Sequence, residues 1–156
     1  MTLKIESPIF AQGAAIPAQY TCDGEDRSPA FSWSGAPAGT KSFVLVCVDP
    51  DAPSGLFHHW AAFDIPASYR GLEAGYGKKS LDPAVRQAVN DFGRPGYGGP
   101  CPPRSHGPHH YHFRLSALDI ISLDALPTVK CAEIIALAGR HEIAAAELVG
   151  LYNRAA

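Results

Sequence analysis

Two carboxylates set among prolines, Asp49-Pro50-Asp51-Ala52-Pro53, are the first residues of this chain whose types and spacing suggest chemistry. Proline locks φ and removes a backbone donor, so the run forms a rigid turn at a strand end. Asp49 follows Phe43, Leu45 and Cys47 at period two, which aims it at the face those apolar side chains share and toward a pocket. An ordinary acidic turn is the plainer reading of these five residues alone. Histidines supply the second feature: His58, His59, His106, His109, His110 and His112 fall within a short span of the chain. Strand alternation turns His58 and His59 to opposite faces, so one of the doublet enters a given site, and the same holds for His109 and His110. His110 and His112 share a face at a spacing a strand-borne zinc site could use. No Cys or carboxylate is placed to complete four ligands, so solvated surface histidines and no metal are expected. The third feature is Gly98-Gly99-Pro100-Cys101-Pro102-Pro103-Arg104. Its stiff backbone and free N–H groups suit an anion cradle, with His109 and Tyr111 projecting from the next strand; a loop serving structure alone is the alternative.

Some chemistry is absent. The chain has no G-x-S-x-G elbow, no H-E-x-x-H and no G-x-G-x-x-G. Gly75-Tyr76-Gly77-Lys78-Lys79-Ser80 fails the phosphate-loop spacing, because Tyr76 stands where the second Gly must be, and it reads as a surface loop. Ser105 adjoins His106 only in sequence and Cys101 has no evident activator, so binding outranks catalysis.

The elements that must position these residues are mostly strands. Residues 41–49 (KSFVLVCVD) have the pattern of a strand buried on both faces, and residues 59–65 (HWAAFDI) read as another. Residues 109–118 alternate, with His109, Tyr111, Phe113 and Leu115 on one face and His110, His112 and Arg114 on the other. Weaker strands are expected near 3–10 and 30–34. Residues 71–104 are rich in turn formers, and loops of that length are usually functional or mobile. Near the end, Thr128 is expected to cap a helix with Glu133 in its first turn, broken by Gly139; a second helix is expected over 141–153. Strands first and helices last argue for a β sandwich or barrel with helices at one end.

Composition narrows the function. The 156 residues form one domain without a composition shift, and a net charge of −2 gives no basic footprint for nucleic acid. With 46% hydrophobic and 18% charged residues the chain folds rather than staying disordered. No apolar run reaches the length of a membrane span, and the start shows no secretory signal. The four scattered cysteines, Cys22, Cys47, Cys101 and Cys131, suggest reduced thiols and a cytoplasmic location rather than a disulfide framework.

Taken together, the chain resembles the phosphatidylethanolamine-binding proteins, specifically their prokaryotic Raf kinase inhibitor-like (YbhB/YbcL type) branch. The resemblance rests on Asp49-Pro50-Asp51-Ala52-Pro53, His58-His59-Trp60, Asp91-Phe92-Gly93, Gly99-Pro100-Cys101-Pro102-Pro103-Arg104, His109-His110-Tyr111-His112-Phe113 and Ala117-Leu118-Asp119. Ser28-Pro29, Trp33 and residues 37–42 extend it toward the start, and residues 141–152 toward the end. It implies a mainly β fold, an antiparallel β-sheet sandwich with two short C-terminal helices, and no cofactor. It also implies a pocket for a small anion, phosphate or a phosphorylethanolamine head group, lined by Asp49, His59, Pro103, His109 and Tyr111. Asp51, Cys101 and Trp60 are secondary candidates. Asp49 would orient one imidazole and favour its charged form, so anion affinity should fall as pH rises. A site of Asp, His and Tyr suits a polar head group better than an acyl chain. The family implies a binding and regulatory role, with a kinase or protease as protein partner and a homodimer among its states. A hydrolase using the His/Asp pocket for acid–base work is the rival. The chain departs from the family pattern where Ser105 replaces Gly, His110 replaces Arg, and Cys101 replaces a small Gly or Ala.

Overall fold

In a computed structural model that describes residues 2–76 and 82–155, two antiparallel sheets and one helix form three layers. The Gly77–Ser80 part of the expected surface loop lies outside the described residues. The strands are β1 (Lys4–Glu6), β2 (Phe31–Ser34), β3 (Ser42–Asp49), β4 (Phe57–Pro66), β5 (Gly71–Leu72), β6 (Arg86–Gln87), β7 (His109–Leu118) and β8 (Glu142–Tyr152). The small sheet runs β1-β2-β5 and the large one β6-β4-β3-β7-β8.

Alternation on the central strands builds two cores. Phe43, Leu45 and Cys47 of β3 join Trp60, Tyr111, Phe113 and Leu115 against Ile5, Phe31, Trp33 and Leu72 of the small sheet. The opposite side chains, Val44 and Val46, pack with Phe63 and Leu118 against helix α1 (Cys131–Gly139), through Cys131, Ile134 and Ala138. Burial on both faces is what an unbroken apolar strand signals.

The structure corrects two expectations. Residues 142–152 form β8 and not a second helix. Their alanines favour a helix locally, yet pairing from His109↔Tyr152 to Leu118↔Glu142 closes the edge of β7, and tertiary hydrogen bonding outweighs propensity. Gly150 matters here: a Cβ at this position would stand 2.6 Å from Ile16 Cγ1, so only a bare backbone lets the segment around Ile16 lie against β8. The α1 cap falls at Lys130, whose N–H donates to the Glu133 carboxylate at 3.3 Å, and not at Thr128.

The second correction concerns the thiols. Cys22 and Cys101 form a disulfide, with Cα atoms 5.4 Å apart and a separation of 79 positions in sequence. Sequence spacing conceals such a bond because the fold alone brings residues 20–26 against residues 97–101. Cys47 and Cys131 remain free and buried. Burial pushes both thiols up, Cys131 to about 12, so they stay protonated and unreactive.

Candidate functional site

The site lies at one end of the large sheet, where β3 stops and β7 begins. Asp49, the last residue of β3, is buried, and its two oxygens do different work. Oδ1 accepts the Asp51 N–H at 2.8 Å and pins the following turn, while Oδ2 lies 2.6 Å from His109 Nδ1. His109, also buried, therefore turns its Nδ1–H to the carboxylate, which fixes the ring's orientation. The orienting role expected of Asp49 falls on this histidine.

His59 comes from β4. Its Nδ1 lies 2.7 Å from the Gly98 carbonyl, and the Gly98 N–H returns a 3.0 Å bond to the His59 carbonyl. Gly98 is required at this clamp because a Cβ there would stand 2.3 Å from the Phe92 ring. Burial lowers the His59 pKa, against the Gly98 carbonyl bond and the nearby Asp49, Asp91 and Asp26 carboxylates, which favour the cation. At neutral pH His59 is uncharged, with its proton on Nδ1 and a lone pair on Nε2.

Tyr111 completes the polar set. Its hydroxyl is buried and has no hydrogen-bond partner among the described residues. Burial first, and then the Asp49 charge, push its pKa strongly up, so it remains a phenol. The ring packs edge-on to His59 at 5.3 Å and stacks over His109 at 6.4 Å. A buried hydroxyl left unpaired costs about 1–3 kcal/mol, which marks a place where a ligand would repay the deficit.

These groups line a cavity of about 270 Å³, walled otherwise by Ala52, Pro53, Ser54, Phe57, Phe92 and the Cys101–Pro103 run. All five primary candidates, Asp49, His59, Pro103, His109 and Tyr111, line it, and so does Cys101. Trp60 does not: it is fully buried in the main core, and its Nε1–H donates to Gln87 Oε1 at 2.7 Å. Strand alternation explains this, since adjacent residues face opposite ways. Asp51 is exposed and pairs outward, accepting from the His110 N–H and lying 2.7 Å from His110 Nδ1.

The loops are held by polar ties. The Gly99 N–H donates to Asp26 Oδ1 at 2.8 Å, Cys22 N–H to the Pro100 carbonyl at 3.1 Å, and Tyr97 Oη to the Tyr20 carbonyl at 2.7 Å. Asp91 accepts from the His58 N–H at 2.7 Å and meets its ring at 2.9 Å, which turns His58 away from the cavity. His112 lies 3.0 Å from Glu147 Oε1. Among the described residues, no three His, Cys, Asp or Glu side chains cluster as a metal site.

Sequence reasoning missed three contributors. Phe57 and Phe92 flank His59, with ring centroids 4.7 and 5.5 Å away. His106 Nδ1 lies 2.6 Å from His109 Nε2. Only the three-residue step from His106 to His109 hinted at this last contact.

The His59 pKa has a consequence for stability. Its folded value is lowered, so the unfolded chain binds a proton that the native one lacks, and stability rises with pH. This contribution is complete above the ordinary imidazole value of 6.5 and is lost as pH falls from there toward the lowered one. Thermal unfolding of wild type and His59→Gln, followed from pH 8 to pH 5, should show a steeper acid decline in wild type. Parallel curves would refute it.

The chain matches the family model "Phosphatidylethanolamine-binding protein" over residues 6–153. It is 45% identical to a UPF0098 protein of Aquifex aeolicus over 152 residues, covering 97% of this chain and 89% of that one. A UPF0098 protein of Pyrococcus horikoshii is 44% identical over 156 residues, with 99% of this chain and 78% of that one covered. The crystal structure of Escherichia coli YbcL, described as a new member of the mammalian PEBP family, superposes with a TM-score of 0.93 at 32% identity, over 98% of this chain and 99% of that one. By sequence and by architecture, this chain belongs to the phosphatidylethanolamine-binding protein family.

Proposed function

We propose that this protein binds a small oxyanion, a phosphate or a phosphorylethanolamine-like head group, in the cavity of Asp49, His59, Pro103, His109 and Tyr111, and acts as a non-catalytic regulatory or inhibitory protein. The observation that carries this reading is the unpartnered, buried Tyr111 hydroxyl beside two imidazoles. The hydroxyl donates one hydrogen bond to an anion, and His59 donates a charge-assisted one once protonated at Nε2. A cavity of about 270 Å³ suits a head group more than an acyl chain. Because His59 is neutral at pH 7, binding draws a proton onto it, and affinity rises as pH falls. Sulfate serves as an anion that does not itself titrate in this range.

The decisive variant is Tyr111→Phe. It removes the unpaired hydroxyl, so the free protein should unfold at the same or a slightly higher temperature. Phosphate affinity should drop about tenfold or more, the value of a hydrogen bond to a charged group. An NMR titration of the histidine rings with phosphate and then phosphorylethanolamine reads both. Unchanged affinity in Tyr111→Phe would sink the proposal.

Two other readings have their own support. Exposed Phe92 in the cavity wall, and exposed Leu56 next in sequence to the lining residue Phe57, favour a protein partner, such as a kinase or protease, whose capture should then compete with phosphate. The Asp49–His109 pair has the form of an acid–base element, so a hydrolase would show ester or phosphoester turnover lost in His109→Ala. Among the described residues no helix is long and apolar enough to cross a membrane. The expectation of a cytoplasmic location rested on unpaired thiols, and the Cys22–Cys101 bond removes that ground.

A further inference from the structure

His109 is the one imidazole of the cavity with both nitrogens engaged. Nδ1 faces Asp49 Oδ2 at 2.6 Å, and Nε2 faces His106 Nδ1 at 2.6 Å. The His106 and His109 rings lie 4.8 Å apart at 66°, in a near edge-on arrangement. Two nitrogens at that separation share a single hydrogen, so one donates and the other accepts. While the contact persists, His109 cannot offer Nε2–H to anything in the cavity.

The two histidines differ in how firmly they are held. His109 is buried at the start of β7 and clamped by Asp49, whereas His106 is exposed on a turn. That turn carries Ser105 at φ 64° and Gly107 at φ 85°, with the His106 N–H on the Pro103 carbonyl at 3.2 Å. A left-handed, non-glycine residue is sparsely populated and persists where its surroundings hold it. Here the Ser105 N–H donates to the Arg154 carbonyl at 3.1 Å and Arg104 Nη1 to that of Ala155 at 3.3 Å. The turn is therefore fastened to the C-terminal strand's exit, and the His106 side chain is aimed back at His109.

We infer that His106 is a removable cap on the site: it occupies Nε2 of His109 when the cavity is empty and is displaced when an oxyanion enters. The inference rests on the proposed anion reading of the same cavity and deepens it. His106 then sets the affinity without being a lasting contact of the ligand. Apparent affinity is the intrinsic value reduced by the fraction of molecules that are uncapped. A net hydrogen bond of ordinary strength keeps that fraction low, and removing the cap should tighten binding about fivefold.

The test is a titration of wild type and His106→Ala with inorganic phosphate, read from the imidazole nitrogen resonances. His106 is exposed, so the variant should fold and lose only the few degrees that one ordinary hydrogen bond is worth. The expected result has two parts: His106→Ala binds phosphate about fivefold more tightly, and in wild type the His106 Nδ1 signal moves to its solvent-exposed position as His109 saturates. Weaker binding in the variant would make His106 a ligand contact and overturn the cap. Equal binding, or a His106 signal that stays fixed while His109 saturates, would overturn it as well. Absence of phosphate binding in both proteins would instead overturn the anion reading, and the cap with it.

Discussion

Loss of the Cys22–Cys101 disulfide, in the double variant Cys22→Ala/Cys101→Ala or on treatment with a dithiol, should lower the melting temperature by about 10 °C. The bond joins residues 79 apart in sequence. In the chain-entropy account, closing a loop of that length removes enough freedom from the unfolded chain to stabilise the fold by ~4 kcal/mol. For a chain of this size each kcal/mol shifts the midpoint by roughly 2–4 °C. The native side adds a functional effect, because Cys101 is part of the cavity wall and Cys22 belongs to the segment that braces it. The phosphate affinity proposed for this cavity should therefore weaken along with stability. Thermal unfolding with and without reductant measures this, and the double variant should show no further response to reductant. The buried Cys47 and Cys131 thiols leave the native protein without a readily alkylated cysteine until it is reduced. A melting temperature unmoved by reduction would show that the polar ties among Gly99, Asp26, Cys22 and Pro100 hold the loop by themselves.

Asp49→Ala is the second change expected to have a large effect. It removes the Oδ2 partner of a buried histidine and the Oδ1 acceptor of the Asp51 N–H in one step. Breaking a buried pair on one side costs on the order of 3–5 kcal/mol, since the remaining group keeps its burial and loses its partner. Ligand binding should fall too, because the His109 ring is no longer held at one angle. Asp49→Asn separates the two contributions: the amide oxygen can still accept one bond, so stability should recover in part. A double-mutant cycle with His109→Ala gives the coupling directly. If Asp49→Ala and His109→Ala act additively, the pair is not the unit described here.

Much of the site could be read from residue order. The alternation Phe43, Leu45, Cys47, Asp49 places Asp49 on the inner face of β3, and the same period puts His109 and Tyr111 on the inner face of β7. Local period is a property of the extended chain, so no knowledge of neighbours is needed to obtain it. The same rule sets His58 and His59 on opposite faces, and the family resemblance chose His59. Trp60 was included as a pocket candidate against that rule, and the structure puts it in the core.

The remaining features depend on partners distant in sequence. Residues 142–152 are alanine-rich and locally helical in preference, and they become β8 only because β7 presents an open edge to pair with. The Cys22–Cys101 bond and the His106–His109 contact likewise require loops to be brought together, and nothing in the spacing of four cysteines or seven histidines states which ones meet. The amino-acid sequence by itself determined the faces of β3 and β7 through short-range period, the family through its motifs, and the five cavity residues through the resemblance those motifs carry. Only the tertiary structure decided the last strand, the disulfide and the state of each cavity nitrogen. Those depend on pairings across the sheets and loops, whose free energies outweigh local preference.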